Sequence, residues 1–141
     1  MRFQPKLEIS PKKEEIDLIG RGIDGNNIAT TGTSTDDKHI TFFIRDEDER
    51  ILGGVRGTYN RSGWLYINGI WVANEYRSNG YGTRLMKDIE TEAKRKGCTQ
   101  CYLTTLSFQA PEFYQKLGYE VFATLENFHQ HYNKYFLRKK I

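Results

Sequence analysis

No stretch of this chain approaches the roughly 20 apolar residues that a membrane-spanning helix needs. The first residues, Met1-Arg2-Phe3-Gln4-Pro5-Lys6, also lack the apolar core of a secretory signal. These two absences lead to the expectation of a soluble, cytoplasmic protein with no membrane partner. Strong charge of one sign is missing as well. A formal net charge of +3, with Lys and Arg interleaved among Asp and Glu, is too weak to argue for nucleic acid. Arg138-Lys139-Lys140 reads as a solvated chain end.

Cysteine is scarce, and its two copies form Cys98-Thr99-Gln100-Cys101. A zinc site would need a second pair of ligands, and His129-Gln130-His131 does not have a usual zinc spacing. A redox pair normally opens a helix, whereas this one follows the helix-stopping Gly97 and enters a strand. Both thiols are therefore read as structural, in a reducing compartment, and no metal is expected. No internal repeat or low-complexity linker is present, and no Ser-His-Asp or Cys-His set sits in the strand–turn–helix context of a nucleophile.

What the chain does have is the length for one domain, expected over 1–141. A chain of this size buries roughly 68–70% of its unfolded surface and needs no covalent staples. A short helix is expected over Glu14–Gly22, weakened by its glycines, then a loop from Gly22 to Lys38. From His39 the pattern turns to strands: His39–Arg45, Ile51–Tyr59 and Trp64–Val72, joined by polar turns into an antiparallel meander. The period then changes. Leu85, Met86, Ile89 and Ala93 line one face of a helix from about Tyr81 to Lys96, ended by Gly97. Cys101–Leu106 is a fourth strand, Pro111–Leu117 a short helix, and Tyr119–Leu125 and Tyr132–Arg138 complete the sheet. A right-handed crossover makes Trp64–Val72 and Cys101–Leu106 parallel. The fold class is α+β, a mixed sheet with helices on its faces.

Gly69 to Thr83 is the most informative segment. A strand ending in Trp71-Val72 enters a polar loop, then Arg77-Ser78-Asn79-Gly80-Tyr81-Gly82 opens a helix. That order gathers unpaired backbone N–H groups where the helix dipole favours negative charge, as in a phosphate cradle. Gly80 and Gly82 permit close approach, and Arg77 adds charge-assisted hydrogen bonding.

Ile70-Trp71-Val72 with Arg77-x-x-Gly80-x-Gly82 resembles the acyl-coenzyme A signature of the GNAT N-acetyltransferase superfamily. Ala110-Pro111-Glu112-Phe113-Tyr114-Gln115-Lys116-Leu117-Gly118-Tyr119 resembles that family's later motif. The resemblance spans roughly Ile40 to Tyr119 and implies a GNAT fold, with a mostly antiparallel sheet, helices on both faces and a splayed parallel strand pair. It implies that acetyl-coenzyme A is the cosubstrate, its pantetheine arm paired to the backbone of Ile70, Trp71 and Val72. Its pyrophosphate would be held by Arg77, Ser78, Asn79, Gly80, Tyr81, Gly82 and Thr83. Ser107 stands where many relatives carry a contacting Asn, with Gln109 nearby. Tyr114 is the implied acid that protonates the departing thiolate.

The implied reaction is direct attack by a primary amine in a ternary complex. A base is not legible, since Thr104 and Thr105 stand where some relatives carry a Glu. Tyr66, Asn68, Glu75 and Glu112 are the nearby candidates, and a base acting through ordered water, or solvent alone, is the leading reading. His129 and His131 lie either in an exposed turn or beside the acceptor. The acceptor is a small-molecule or peptidyl amine: antibiotic, polyamine, small amine, peptide N-terminus and lysine side chain all remain open. A homodimer through the C-terminal strands is compatible with the pattern. The rival readings are a non-catalytic acyl-coenzyme A binding or sensing module and, more distantly, a redox or metal module built on the cysteines.

Overall fold

Ile16, Ile19 and Ile23 recur at helical spacing on both sides of Gly20 and Gly22, and the helix continues through those glycines. The computed structural model describes residues 1–141 as two compact units, Met1–Thr35 and Asp36–Ile141. The first contains one helix, α1, over Lys13–Thr31. Glu15 closes its start by accepting from the Lys12 N–H at 2.9 Å. Gly32, at φ +78°, closes its end by donating to the Ile28 carbonyl at 2.7 Å. The loop expected from Gly22 to Lys38 is therefore helical as far as Thr31. Each internal glycine costs about 1 kcal/mol relative to Ala, which is too little to stop a helix capped at both ends. No helix of the chain is long and apolar enough to cross a membrane.

The second unit is built on a six-stranded sheet. Its elements are β1 (Lys38–Arg45), β2 (Ile51–Tyr59), β3 (Trp64–Val72), a 3₁₀ turn (Asn74–Tyr76), α2 (Tyr81–Arg95), β4 (Gln100–Leu106), α3 (Pro111–Lys116), β5 (Glu120–His129) and β6 (Tyr132–Lys140). The sheet order is β1-β2-β3-β4-β6-β5. All neighbours are antiparallel except β3 and β4, which are parallel as the crossover rule requires. β5 and β6 run further than expected, to His129 and Lys140, because His129 of β5 pairs with Tyr132 of β6 while Lys139 and Lys140 of β6 pair with Cys101 and Gln100 of β4.

Turn chemistry sets the register. Asp46 accepts from the N–H groups of Asp48 and Arg50, each at 2.9 Å, and ties the β1–β2 turn. Asn60 accepts from the Ser62 N–H at 2.9 Å, and Gly63 at φ +79° completes the β2–β3 turn. Between β2 and β3 the register slips: Arg56 faces Gly69 while Gly57 faces Ile67, leaving Asn68 as the extra residue of a bulge.

Alternation along the strands separates two faces. Val55, Leu65, Ile67, Cys101, Leu103 and Leu137 pack with Leu85, Met86, Ile89 and Ala93 of α2 into one buried core, each large apolar side chain contributing about 1.5–3 kcal/mol. Phe113, Tyr114 and Leu117 of α3 pack against the same core. Thr58, Tyr66, Asn68 and Tyr102 alternate with the core positions and so lie on the opposite face. One carboxylate enters the core: Glu90 of α2 is bound by Lys139 of β6 and accepts from the Tyr119 hydroxyl at 3.3 Å.

Candidate active site

β3 and β4 hydrogen-bond only at their beginnings. Trp64 faces Gln100, Leu65 faces Cys101 and Tyr66 faces Tyr102, and no pair follows. β4 stays paired to β6 as far as Leu106, and β3 stays paired to β2 as far as Val72. The facing edges of the two strands beyond that point are therefore left with unpaired backbone groups, and a buried edge of that kind needs a partner. Between them lies a cavity of about 650 Å³, lined by Asn68–Val72, Arg77, Thr104, Thr105, Phe108–Ala110, Phe113 and Tyr114. Ile70, Trp71, Val72, Arg77 and Tyr114 are thus brought together.

The cradle segment lies just beyond the end of β3. Arg77 donates from Nε to the Val72 carbonyl at 2.8 Å, which fixes the guanidinium at the strand end and leaves its two terminal amino groups free to donate. Asn79 donates to the carbonyls of Tyr76 and Arg77 at 3.2 and 3.0 Å and so shapes the loop. Ser78 and Gly80 have positive φ, +63° and +84°. No side chain caps α2 at Gly80, so the N–H groups of Tyr81, Gly82 and Thr83 in the first turn have no helical acceptor.

The two glycines are required for different reasons. A Cβ at Gly80 would project into open space, with nothing within 4 Å. A Cβ at Gly82 would stand 3.2 Å from the Phe113 ring, so Gly82 lets α3 close against the start of α2. That packing in turn positions Tyr114, whose ring meets Phe113 and Tyr119 edge-on at 5.1 and 6.2 Å. The Tyr114 hydroxyl makes no hydrogen bond within the chain, and burial pushes its pKa above the ordinary phenol range. It remains a proton donor throughout the neutral range.

Other expected residues fall elsewhere. Ser107 does not line the cavity: its Oγ accepts from the Asn133 N–H at 3.1 Å and anchors the loop to β6. Gln109 does line it, its Oε1 accepting from the Leu106 N–H and the Thr105 hydroxyl at 2.8 and 3.1 Å. Thr83 lines a separate cavity with Lys87, Lys94 and Lys139. Glu75 and Glu112 are absent from the lining, and no carboxylate is part of it. His129 packs near Phe108, at 6.2 Å between rings. Cys98 and Cys101 are buried free thiols, and burial, then the Glu90 carboxylate, pushes Cys101 up to about 12, which suppresses thiolate chemistry.

Two features were not legible in the sequence. The Thr58 hydroxyl donates to Asn68 Oδ1 at 2.8 Å, and His39 Nδ1 lies 3.1 Å from the same hydroxyl. This chain crosses three strands and ends on a residue that lines the cavity. A second cavity, about 440 Å³, lies on the face away from α2 and shares Asn68 with the first. The only sequence signal for either was the polar residues at outward strand positions.

Comparison with known proteins gives one answer. Residues 12–119 match the family described as Acetyltransferase (GNAT). The chain is 30% identical over 99 residues to an acetyltransferase of Agrobacterium fabrum, covering 70% of this chain and 71% of that one. It is 34% identical over 83 residues to the blasticidin-S acetyltransferase of Streptomyces morookaense, covering 58% and 60% respectively. A crystal structure of an acetyltransferase from Bacillus cereus superposes with a TM-score of 0.87 at 31% identity, over 96% of this chain and 98% of the other. The parted strands, the uncapped helix start behind them and these likenesses agree: this chain belongs to the GNAT family of N-acetyltransferases.

Proposed function

We propose that this protein transfers an acetyl group from acetyl-coenzyme A to a primary amine by direct attack within a ternary complex. The observation that carries the reading is the divergence of β3 from β4 after Tyr66–Tyr102, which leaves unpaired backbone edges along the 650 Å³ cavity. Two amides and a thioester in extended form need such an edge. Acetyl-coenzyme A supplies the acyl group already activated as a thioester.

In this reading Ile70, Trp71 and Val72 pair with the pantetheine arm, and Arg77 with Ser78–Thr83 holds the pyrophosphate. The terminal amino groups of Arg77 and the uncapped N–H groups of α2 supply the donors. The amine enters beside Asn68, its nitrogen bonds to the carbonyl carbon, and the carbon–sulfur bond breaks. Tyr114 gives its proton to the leaving thiolate and regains one from solvent. An amine of pKa near 10 is almost wholly protonated at neutral pH. With no carboxylate in the cavity lining, one proton leaves to water before attack and a second leaves the nitrogen to water as the amide forms. Neither Cys98 nor Cys101 lines the cavity, which favours direct transfer over an acyl-enzyme.

The missing carboxylate also keeps a second reading in view, a module that binds acyl-coenzyme A without turning it over. Thiol release and calorimetry distinguish the two. Acetyl transfer predicts coenzyme A binding, amine-dependent release of free thiol, and intersecting double-reciprocal lines. Binding without thiol release for any amine overturns it in favour of the binding module, and parallel lines overturn direct attack.

A further inference from the structure

The 440 Å³ cavity beside the transfer site has a consistent chemistry. It meets the transfer cavity at Asn68, and its far end carries the Asp37 carboxylate. Asp37 accepts from Asn60 Nδ2 at 2.9 Å, and Asn60 is itself held by the Ser62 N–H at 2.9 Å. The carboxylate is therefore positioned before any ligand arrives. No Lys or Arg pairs with Asp37: the neighbouring Lys38 is bound to Asp36 at 3.6 Å. The wall between the two ends is aromatic. Tyr102 packs on Tyr66 at 4.8 Å and on Trp64 at 5.7 Å, and every cation–π contact of the chain lies over some other ring.

A fixed carboxylate and three aromatic rings, none with an internal cation, form a site that attracts an ammonium group. The spacing fits as well. In register Tyr59 faces Leu65 and Asn68 bulges opposite Arg56 and Gly57, so the Asn68 end and the Asn60–Asp37 end lie roughly 12 Å apart along the strands. A chain of about four to six methylenes, with bonds of about 1.5 Å and a hydrogen bond of about 3 Å at each terminal nitrogen, spans that distance.

We propose that the acceptor is an aliphatic diamine, or a chain ending in one, whose reacting nitrogen sits at Asn68 while its second ammonium is held by Asp37 against Trp64, Tyr66 and Tyr102. This rests on the acetyl-transfer reading above and names its substrate class. One nitrogen, entering as the free amine, forms the new carbon–nitrogen bond and loses its proton to water. The other nitrogen keeps its proton and its charge.

The test compares 1,5-diaminopentane with pentylamine, which has one charged end only, using the full chain and saturating acetyl-coenzyme A. The expected kcat/KM ratio is about tenfold or more in favour of the diamine. Asp37→Asn, which is isosteric and keeps an acceptor for Asn60, should bring that ratio to about one. Asp37→Lys should instead favour 5-aminopentanoate. A ratio near one in the unaltered protein, or an unchanged ratio in Asp37→Asn, overturns the subsite and leaves acetyl transfer standing. Calorimetry of 1,5-diaminopentane with coenzyme A present gives a second readout. Binding lost in Asp37→Asn, without turnover of any amine, supports the subsite and overturns acetyl transfer. Absence of both binding and turnover overturns both.

Discussion

Thr58 and Asn68, on adjacent strands, are joined by a 2.8 Å hydrogen bond from the Thr58 hydroxyl to the Asn68 side-chain carbonyl. A hydroxyl has one hydrogen to give, so Thr58 accepts rather than donates toward His39, whose Nδ1 lies 3.1 Å away. The bulge turns Asn68 out of register, and this bond sets which end of its amide the cavity meets. With Oδ1 taken by Thr58, the amide presents its NH₂ group.

Thr58→Val keeps the shape and removes the donor. The expected result is a fall of about tenfold in kcat/KM for the amine, the loss of roughly one hydrogen bond of about 1 kcal/mol or slightly more, with coenzyme A affinity unchanged. Thr58→Ser should retain most of the rate. Equal rates in both variants would show that the orientation of Asn68 does not matter.

Tyr114→Phe leaves the aromatic stack with Phe113 and Tyr119 and deletes the proton donor. Turnover should fall by about 10²–10⁴-fold, the range for a lost general acid, while calorimetry finds coenzyme A binding little altered. Unchanged turnover would reduce Tyr114 to a packing residue.

Gly80 sits at φ +84° with open space before it. Gly80→Val adds bulk there and also strains the backbone, at about 1–2 kcal/mol for a residue with a Cβ, so loss of coenzyme A binding in it has two causes. Gly80→Asn tolerates that backbone. It should keep a melting temperature near that of the parent and still bind coenzyme A at least tenfold more weakly. Undiminished affinity in the Asn variant would remove the pyrophosphate from the start of α2.

Cys101 links stability to pH. Its thiol rises from 9.0 to about 12 through burial. Over that window the unfolded chain releases this proton and the folded chain keeps it, so stability is full below the lower value and declines as pH rises. The slope for one group is about 1.4 kcal/mol per pH unit. Urea unfolding of the parent and Cys101→Ala at pH 8 and 10.5 should show a steeper loss in the parent. Parallel losses would mean that the thiol is not held protonated.

Local chemistry made much of this architecture legible in advance. Gly97 ends a helix by its conformation, Asn60 and Gly63 turn a chain, and alternation in Trp64–Val72 marks a strand, because each effect acts within a few residues. The same holds for the cradle, whose strand, loop and helix start are contiguous. The end of α1 was missed because its glycines carry only a weak local penalty, and the full length of β5 because pairing with β6 supplied what its own residues do not.

The sequence by itself determined the element order, the parallel crossover and the segment that presents free amides. Only the tertiary structure decided where β3 and β4 part, that Ser107 turns to Asn133 while Gln109 lines the cavity, and that His39, Thr58 and Asn68 join in one chain. It also decided that Asp37 and Trp64, 27 positions apart, would border one cavity. Such groupings depend on strand register and on a single bulge, which arise from the summed packing of the core and leave no mark at any one position.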